Sequence, residues 1–239
     1  MKGDTLYWFL AGELSEWVWR GELANEEALP REYPVVFVSN HAAALGPIAA
    51  VSSLPVRVHP WVISEMMDWD TAADYLRRDF VDPQLQVPPA LSMIVSILIS
   101  QASVRLFHAV ECVPVWHGEK IHETYRISIE YLTEGRSLLI FPEDPSQPMN
   151  ETYKMTPFYK GFTRLGEMYY ERTQKALRFY PLAVHPEMRE IKIGKPVLYN
   201  PNNDPVKERL RIKSVLESTI HDLYLELAFQ QHVGIPLPH

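Results

Sequence analysis

The stretch that decides the fold is Val35-Val36-Phe37-Val38-Ser39-Asn40-His41-Ala42-Ala43-Ala44-Leu45-Gly46-Pro47. It opens with a β-branched and aromatic run that predicts a short buried strand. Asn40 and His41 follow where this strand ends, and small and apolar residues then predict a helix to Leu54. A strand that presents a His at the start of a helix suits a catalytic base at a sheet edge. The same pattern also fits a His that only caps a turn, so the rest of the chain has to decide between the two.

Strands and helices alternate outward from this stretch. Strands are predicted at 34–39, 57–64, 109–115, 137–142, 176–184 and 191–198. Helices are predicted at 4–20, 42–54, 66–78, 90–106, 120–133, 156–170 and 205–231, with a loop over 79–89. This order predicts a single α/β domain with a mixed, mainly parallel sheet of about seven strands and helices on both faces. We expect an N-terminal helix and linker over 1–33 and the α/β domain over 34–231.

Composition narrows the function classes. A net charge of −7 lacks the basic field that a nucleic-acid partner requires. The single cysteine, Cys112, excludes an internal disulfide framework and a cysteine-based zinc site. Its position in a strand predicts a buried apolar side chain rather than a nucleophile. Asp4, Glu13 and Glu16 interrupt the first 20 residues, so no signal peptide is apparent and a cytoplasmic location is expected.

Two apolar segments leave a membrane surface open as a partner. The N-terminal helix is expected to carry one apolar face formed by Leu6, Phe9, Leu10, Leu14, Trp17 and Val18. The second segment, 87–107, contains an uninterrupted apolar run that is shorter than the roughly 18–20 residues of a membrane span. Each segment either packs on its own domain or lies against a bilayer, and periodicity alone does not separate the two interpretations.

Polar residues directly follow two of the strongest predicted strands. Asn40 and His41 follow the first, and Phe141-Pro142-Glu143 follows the strand that begins at Ser137. Ligands of open α/β sheets bind beyond the carboxyl ends of the strands, where both loops are expected to lie. The sequence therefore predicts a site in which His41 is a base and Glu143 anchors a substrate.

The order of several short motifs resembles the PlsC-like glycerolipid acyltransferase family over residues 34–225. The family carries Asn-His, four residues and Asp, then Phe-Pro-Glu-Gly-Thr-Arg-Ser, a Lys-Gly helix, a Val-Pro-Val-like strand and an Ile-Gly-Xaa-Pro strand. The matching segments here are Asn40-His41, Phe141-Pro142-Glu143, Pro157-Phe158-Tyr159-Lys160-Gly161, Tyr180-Pro181-Leu182-Ala183-Val184 and Ile193-Gly194-Lys195-Pro196.

This resemblance implies the transfer of an acyl group from a thioester, acyl-CoA or acyl carrier protein, to a hydroxyl of a glycerolipid-type or other acceptor. His41 is then the general base. Glu143 is implied as a positioning group, and Asn40, His117 and Lys160 are implied as substrate-binding residues. No metal and no resident cofactor are expected, because the thioester is a co-substrate.

The chain departs from the family pattern at charged positions. The Asp that orients the family's His is replaced by Gly46, and Asp144 stands where a Gly follows the Glu. His117 stands near a usual Arg, and Glu65 stands where a basic residue often follows the second strand. The pocket is therefore expected to favour a neutral or differently charged acceptor over a phosphate.

Three alternatives remain beside this reading. The first is a catalytically silent relative that binds lipid, an acyl chain or a protein. The second is an enzyme of the same fold that uses another acceptor. An unrelated α/β hydrolase is a weaker alternative, because the chain lacks the Gly-Xaa-Ser-Xaa-Gly elbow. Glu143 and Asp144 are open to two interpretations as well. Either one carboxylate replaces the missing partner of His41, or Glu143 bonds to the turn and Asp144 caps it.

Overall fold

The first predicted strand is the centre of a parallel arrangement. The computed structural model describes residues 2–42, 45–85 and 87–233. Strand β2 (Val36–Ser39) lies between β5 (Ser137–Ile140) and β6 (Arg178–His185), and it is parallel to both. All residues of β2 and β5 are buried, so both faces of the sheet are covered here.

The chain divides into two compact units, and the larger contains Trp8–Val58 and Ser128–His239. In this unit β7 (Glu190–Ile193) and β8 (Val197–Leu198) are antiparallel to β6. The short β1 (Glu22–Leu23) is parallel to β7. The sheet of the larger unit is therefore mixed, with its parallel strands at the site-bearing centre.

The smaller unit contains Met1–Tyr7 and His59–Ile127. Its strands β3 (Val58–Ile63, which begins at the boundary) and β4 (Val113–Val115) are parallel. Its helices are α3 (Ser64–Met67), α4 (Ala72–Leu76), a π-helical segment over Arg77–Leu85, and α5 (Pro89–Ala109). The sequence predicted a loop over 79–89. The structure has helix over most of it, because this segment packs against α4 and α5.

The remaining helices complete an α/β fold. They are α1 (Lys2–Leu14) with a π-helical extension Ser15–Trp19, α2 (Leu45–Ser53), α6 (Ile121–Thr133), α7 (Arg164–Thr173) and α8 (Pro205–Val233). The predicted α/β class with a mixed, mainly parallel sheet of about seven strands is confirmed, with eight strands among the described residues. The boundary predicted between residues 33 and 34 stays a prediction.

Helix α8 has a well-defined beginning. Asp204 is its N-cap, and its Oδ1 accepts the backbone N–H groups of Val206 at 3.1 Å and Lys207 at 3.0 Å. Pro205 occupies the first helical position, where its fixed φ suits a helix and no N–H is needed. Sequence signals of this kind explain why the predicted start of this helix at residue 205 agrees with the structure.

The apolar face predicted for the N-terminal helix is largely exposed, and the helix packs through other residues. Leu6, Phe9, Trp17 and Val18 are exposed, whereas Tyr7, Ala11 and Trp19 are buried. The guanidinium of Arg189 explains the burial of Trp19, since it lies 5.9 Å from the Trp19 ring centroid and donates to the carbonyl oxygens of Val18 and Trp19. A contact 170 residues away in the chain therefore decides which side of the helix end packs.

The segment Thr156–Lys160 is not helical, which corrects the helix predicted from residue 156. Helical structure begins only with a 3₁₀ turn at Gly161–Thr163, followed by α7. Before it Phe158 forms an antiparallel bridge with Glu143, and Tyr159 N–H donates to the carbonyl oxygen of Pro142 at 2.7 Å. Phe158 N–H donates to Glu217 Oε1 on α8, also at 2.7 Å. These two bonds hold the segment along the Phe141-Pro142-Glu143 loop.

Candidate functional site

The two loops singled out in the sequence lie at one edge of the sheet. Because β2, β5 and β6 are mutually parallel, their carboxyl ends meet there. Asn40 and His41 follow β2, the Phe141-Pro142-Glu143 loop follows β5, and His185 ends β6. The edge brings together residues that are up to 145 positions apart in the chain.

Asn40 fastens the end of β2 to β6. Its Oδ1 accepts the backbone N–H of Val184 at 2.7 Å, and its Nδ2 donates to the carbonyl oxygen of Val184 at 2.9 Å. The side chain is almost fully buried. Both ends of the amide are thus engaged with main chain, which fixes the position from which His41 projects. Its predicted contact with substrate stays a prediction.

Glu143 joins the two loops. Its Oε1 accepts the backbone N–H of His41 at 2.5 Å, across 102 residues of sequence. Its Oε2 accepts the backbone N–H of Thr156 at 2.8 Å, and Phe158 is its antiparallel bridge partner. These contacts favour the interpretation in which Glu143 bonds to the turn. Glu143 therefore bonds to the main chain of His41, and its predicted role in holding a substrate stays a prediction.

The imidazole of His41 lies at an accessible place. The residue is exposed, and its ring meets the ring of Phe141 edge-on, with centroids 5.3 Å apart and planes at 66°. Such an edge-to-face contact restrains the ring without covering it. The base that the sequence predicted is therefore held from its backbone by Asn40 and Glu143 and braced from the side by Phe141.

Gly46 is packed against the main chain of His41. Its N–H donates to the carbonyl oxygen of His41 at 3.1 Å. A Cβ at this position would lie 2.2 Å from that oxygen and 2.8 Å from the carbonyl oxygen of Asn40. Both neighbours are backbone atoms and cannot turn away as a side chain could. The backbone as it stands thus has no room for the orienting Asp of the resembled family.

Asp144 caps the turn that follows Glu143, as one of the two sequence interpretations expected. Its Oδ1 accepts bonds from the N–H of Ser146 at 2.9 Å, the Ser146 hydroxyl at 2.6 Å and the Tyr159 hydroxyl at 2.7 Å. The hydrogen bonds from Ser146 and then Tyr159 hold the pKa of this carboxyl below its usual range. Asp144 is therefore an anion at neutral pH, next to the loop that carries Glu143.

The other predicted residues are more scattered. Lys160 is exposed and follows Tyr159, so it lies directly after the segment that runs along the Glu143 loop. His117 belongs to the smaller unit, where it is exposed after β4. Cys112 is buried, and burial raises the pKa of its thiol far above the neutral range, as expected for a packing residue. Among the described residues, no group of three or more His, Cys, Asp or Glu is arranged to hold a metal ion.

Sequence reasoning missed the part of the site that α8 contributes. The rings of His221 and Tyr153 stack with centroids 3.7 Å apart. Burial lowers the pKa of His221, against the opposing effect of the nearby carboxylates of Glu217, Asp222 and Glu143. A second stack joins His185 and Tyr224 at 4.4 Å. No local motif signals these pairs, since each joins residues more than 35 positions apart.

Comparisons with known proteins agree with this fold. No protein-family model matches the chain, and no curated protein matches it in sequence. Among solved structures it is similar to the 1-acyl-sn-glycerophosphate (LPA) acyltransferase PlsC from Thermotoga maritima, with a TM-score of 0.51 and 13% identity. The match covers 92% of this chain and 82% of that one. The chain therefore shares the overall fold of that protein.

This similarity agrees with the resemblance found in the sequence at the level of the fold. At 13% identity the similarity concerns the path of the backbone and leaves the individual side chains to be argued from this chain.

Proposed function

We propose that this protein is an acyltransferase that moves an acyl group from acyl-CoA or acyl carrier protein to a hydroxyl acceptor of glycerolipid or related type. The observation that carries the proposal is the 2.5 Å bond from His41 N–H to Glu143 Oε1. It joins the two loops whose motifs resemble the PlsC-like family, at the sheet edge where such folds bind ligands. The similarity of the backbone to a PlsC acyltransferase supports the same reaction class.

His41 acts as the general base in this reaction. Its neutral imidazole takes the proton of the acceptor hydroxyl while the oxygen attacks the thioester carbonyl carbon. The tetrahedral intermediate collapses, the carbon–sulfur bond breaks, and the departing thiolate receives the proton from the imidazolium. The product is an ester and a free thiol. No metal or resident cofactor takes part in these steps.

The absence of an orienting carboxylate at Gly46 makes this a slow enzyme in our proposal. In a serine protease, replacing the carboxylate that orients the catalytic His lowers turnover by about 10⁴. Here Asn40 and Glu143 hold the His41 backbone, and Phe141 restrains its ring. These contacts limit the loss by fixing the position of His41.

The acceptor is proposed to be neutral or cationic in its head group. Asp144 adds a second carboxylate beside Glu143 where the resembled family has a Gly, and Ser146 stands where the family has an Arg. The lowered pKa of Asp144 keeps its carboxylate charged. A phosphate would meet these anions without an Arg to pair with, and Lys160 is the candidate cation on the adjoining segment. We place the reaction in the cytoplasm, on lipid at the inner face of a membrane.

A catalytically silent relative is the second candidate, and the packing of Gly46 favours it. A loop built without room for the orienting Asp is also compatible with a protein that only binds lipid, an acyl chain or a protein partner. The two candidates differ in one measurable property, which is acceptor-dependent release of thiol from the donor.

The deciding experiment follows free thiol from acyl-CoA and from acyl carrier protein with neutral, amine and phosphate acceptors. We expect acceptor-dependent release that His41→Ala lowers by at least roughly 100-fold, since a general base contributes about 10²–10⁴. His122→Ala is the matched control, because His122 is an exposed histidine on α6. Equal rates for the unmodified protein and His41→Ala with every donor and acceptor would establish the silent relative.

Gly46→Asp tests the backbone explanation directly. We expect no gain of activity and a lower melting temperature, because the new Cβ would lie 2.2 Å from the His41 carbonyl oxygen. Gly46→Ala should be destabilised in the same way, since the conflict begins at Cβ. A more active Gly46→Asp variant with unchanged stability would show that the loop accepts the orienting carboxylate.

A further inference from the structure

Helix α5 has its apolar and polar sides reversed with respect to a helix of a water-soluble core. Its buried stripe consists of Ser92, Ser96, Ser100 and Val104, spaced four residues apart. Its exposed side consists of Leu91, Met93, Ile94, Ile97 and Leu98. Ile94 is 55% exposed and Leu98 is 67% exposed, whereas Ser96 is 0% exposed. The residues that gain most from leaving water are those that remain in it.

The buried serines are accommodated by their own helix and by a neighbour. Ser96 Oγ donates to the carbonyl oxygen of Ser92 at 2.8 Å, and Ser100 Oγ donates to that of Ile97 at 2.9 Å. Ser92 donates to the carboxylate of Asp82. With their hydroxyl groups satisfied, these small side chains let α5 pack closely against α3, α4 and the Arg77–Leu85 segment. Close packing on small residues is typical of helices in a lipid environment.

The chemistry of the exposed side fits lipid better than a protein partner. From residue 89 to 104 the helix carries no charged residue, so it offers no ion pair to fix a partner's orientation. The exposed side chains are aliphatic and stand on one convex helix. The uninterrupted apolar run noted in the sequence is shorter than a span. The longer stretch Leu91–Ala109, however, is long and apolar enough to cross a membrane by length and composition, with a mean hydropathy of 1.4 and 22% of it buried.

The polar end of α5 has the composition of a membrane–water boundary. The first charged residue, Arg105, lies with its guanidinium 5.3 Å from the ring centroid of Trp69, which is itself exposed. Trp and Arg are common at this level of a bilayer, where an aromatic ring is half in lipid and a cation reaches water. His108, one turn further, meets the carbonyl oxygen of Met67 at 3.0 Å.

We propose that the exposed side of α5 docks the protein onto a lipid bilayer, with the helix lying in the plane of the interface. The serine stripe is already packed on protein, so lipid reaches only one side of the helix and the helix does not span. Leu91, Ile94 and Leu98 enter the acyl boundary, and Arg105 and Trp69 stay at the level of the head groups. The inference rests on α5 alone and is independent of acyl transfer.

The driving force is apolar burial rather than charge. The chain carries a net charge of −7, and the docking side of α5 contributes no cation before Arg105. Binding should therefore occur on neutral phosphatidylcholine vesicles, resist salt, and gain nothing from anionic lipid. This signature separates the α5 mode from attraction of a basic patch to an anionic surface.

The test is flotation of the full chain with phosphatidylcholine vesicles, with and without added phosphatidylglycerol. The double variant Ile94→Ser/Leu98→Ser should lower the bound fraction at least tenfold. The matched control is Val206→Ser/Leu210→Ser on α8, with the same spacing and exposures of 54% and 47%. That control should float like the unmodified protein, and thermal melting verifies that both double variants are folded.

A second readout uses Leu98→Cys labelled with an environment-sensitive dye. Cys112 is buried with a raised thiol pKa and does not compete for the label. We expect a blue shift of the dye on neutral vesicles and none for a label at Leu210→Cys. This readout keeps the proposal testable should the double variant fail to fold.

Three results would overturn the proposal. The first is no flotation of the unmodified protein on neutral vesicles, and the second is flotation that the α5 double variant retains. The third is a dimer in solution that the α5 double variant converts to a monomer, which would assign this side to a second copy of the chain. The vesicles contain no acyl donor, so each result stands apart from the outcome of the thiol-release assay.

Discussion

Helices α5 and α8 bury stripes of the same spacing and opposite chemistry. Three fully buried apolar residues of α8 are spaced four apart and pack on the sheet of the larger unit: Ile212, Leu216 and Ile220. In α5 residues with the same four-residue spacing are mostly serines. Both helices are long, and both contain enough apolar residues for a stable core-facing side.

This comparison shows that helical periodicity in a sequence reveals a stripe of similar residues along the helix. It does not show which side of the helix packs against the rest of the protein. The apolar stripe of α8 is used up in folding, and its removal from water stabilises the native state. The apolar stripe of α5 remains available after folding. The same kind of side chain therefore contributes to stability in one helix and, in our proposal, to docking in the other, and the following changes test that division.

The largest effect is expected from Leu216→Ala in α8. Leu216 is fully buried, so the variant loses transfer free energy and leaves a cavity. We expect the free energy of unfolding to fall by about 2–5 kcal/mol, measured by urea denaturation. A loss below about 1 kcal/mol would mean that α8 is packed more loosely than its burial indicates.

Acid should weaken the start of α8. Burial of Glu208 raises its pKa, but hydrogen bonds from Arg211, Asn203 and the Asn200 backbone outweigh this and lower the pKa from 4.5 to about 2. A lowered folded-state pKa stabilises the protein above about pH 4.5, and this contribution is lost as the pH falls towards 2. Such a shift corresponds to roughly 3 kcal/mol at full effect.

The measurement is the free energy of unfolding from pH 7 down to pH 3, compared between the unmodified protein and Glu208→Gln. The variant should be less stable at pH 7, and the difference should shrink below pH 4.5. Other carboxyl groups titrate in both proteins and cancel in the comparison. A difference that is constant with pH would contradict the assignment of a low pKa to Glu208.

Ser96→Leu tests whether the serine side of α5 is tightly packed. Ser96 is fully buried, and the larger side chain has to displace α4 or the Arg77–Leu85 segment. We expect a loss of about 1–3 kcal/mol from overpacking, by thermal or urea unfolding. Ser96→Ala is the control and should change stability much less. A more stable Ser96→Leu protein would reveal a void behind the stripe.

The smallest effect on stability is expected from Leu98→Ser in α5. Leu98 is exposed, and substitutions of this kind usually change the free energy of unfolding by no more than about 0.5 kcal/mol. Urea denaturation checks this value in the absence of vesicles. A loss comparable to that of Leu216→Ala would show that the exposed side of α5 is covered in the folded protein in solution.

The candidate site was predictable in its main outline and not in its bonding. Polar residues follow two of the predicted strands and indicated Asn40, His41 and Glu143. These residues were expected to lie together, because the carboxyl ends of parallel strands lie at the same edge of a sheet. The sequence did not indicate that Glu143 would accept a hydrogen bond from the backbone N–H of His41. It also did not indicate that the side-chain amide of Asn40 would form hydrogen bonds with the backbone of Val184. Stacked pairs such as Tyr153 with His221 carry no local signal at all.

The sequence by itself determined the α/β class, the succession of strands and helices and the two loops that carry the site. These features follow from local periodicity and from residues that end strands, which short stretches of chain contain in full. Tertiary structure alone decided which side of α5 packs, why Thr156–Lys160 is not helical, and why Gly46 has no room for a side chain. Each of these depends on atoms brought close by folding, which a periodic pattern does not record.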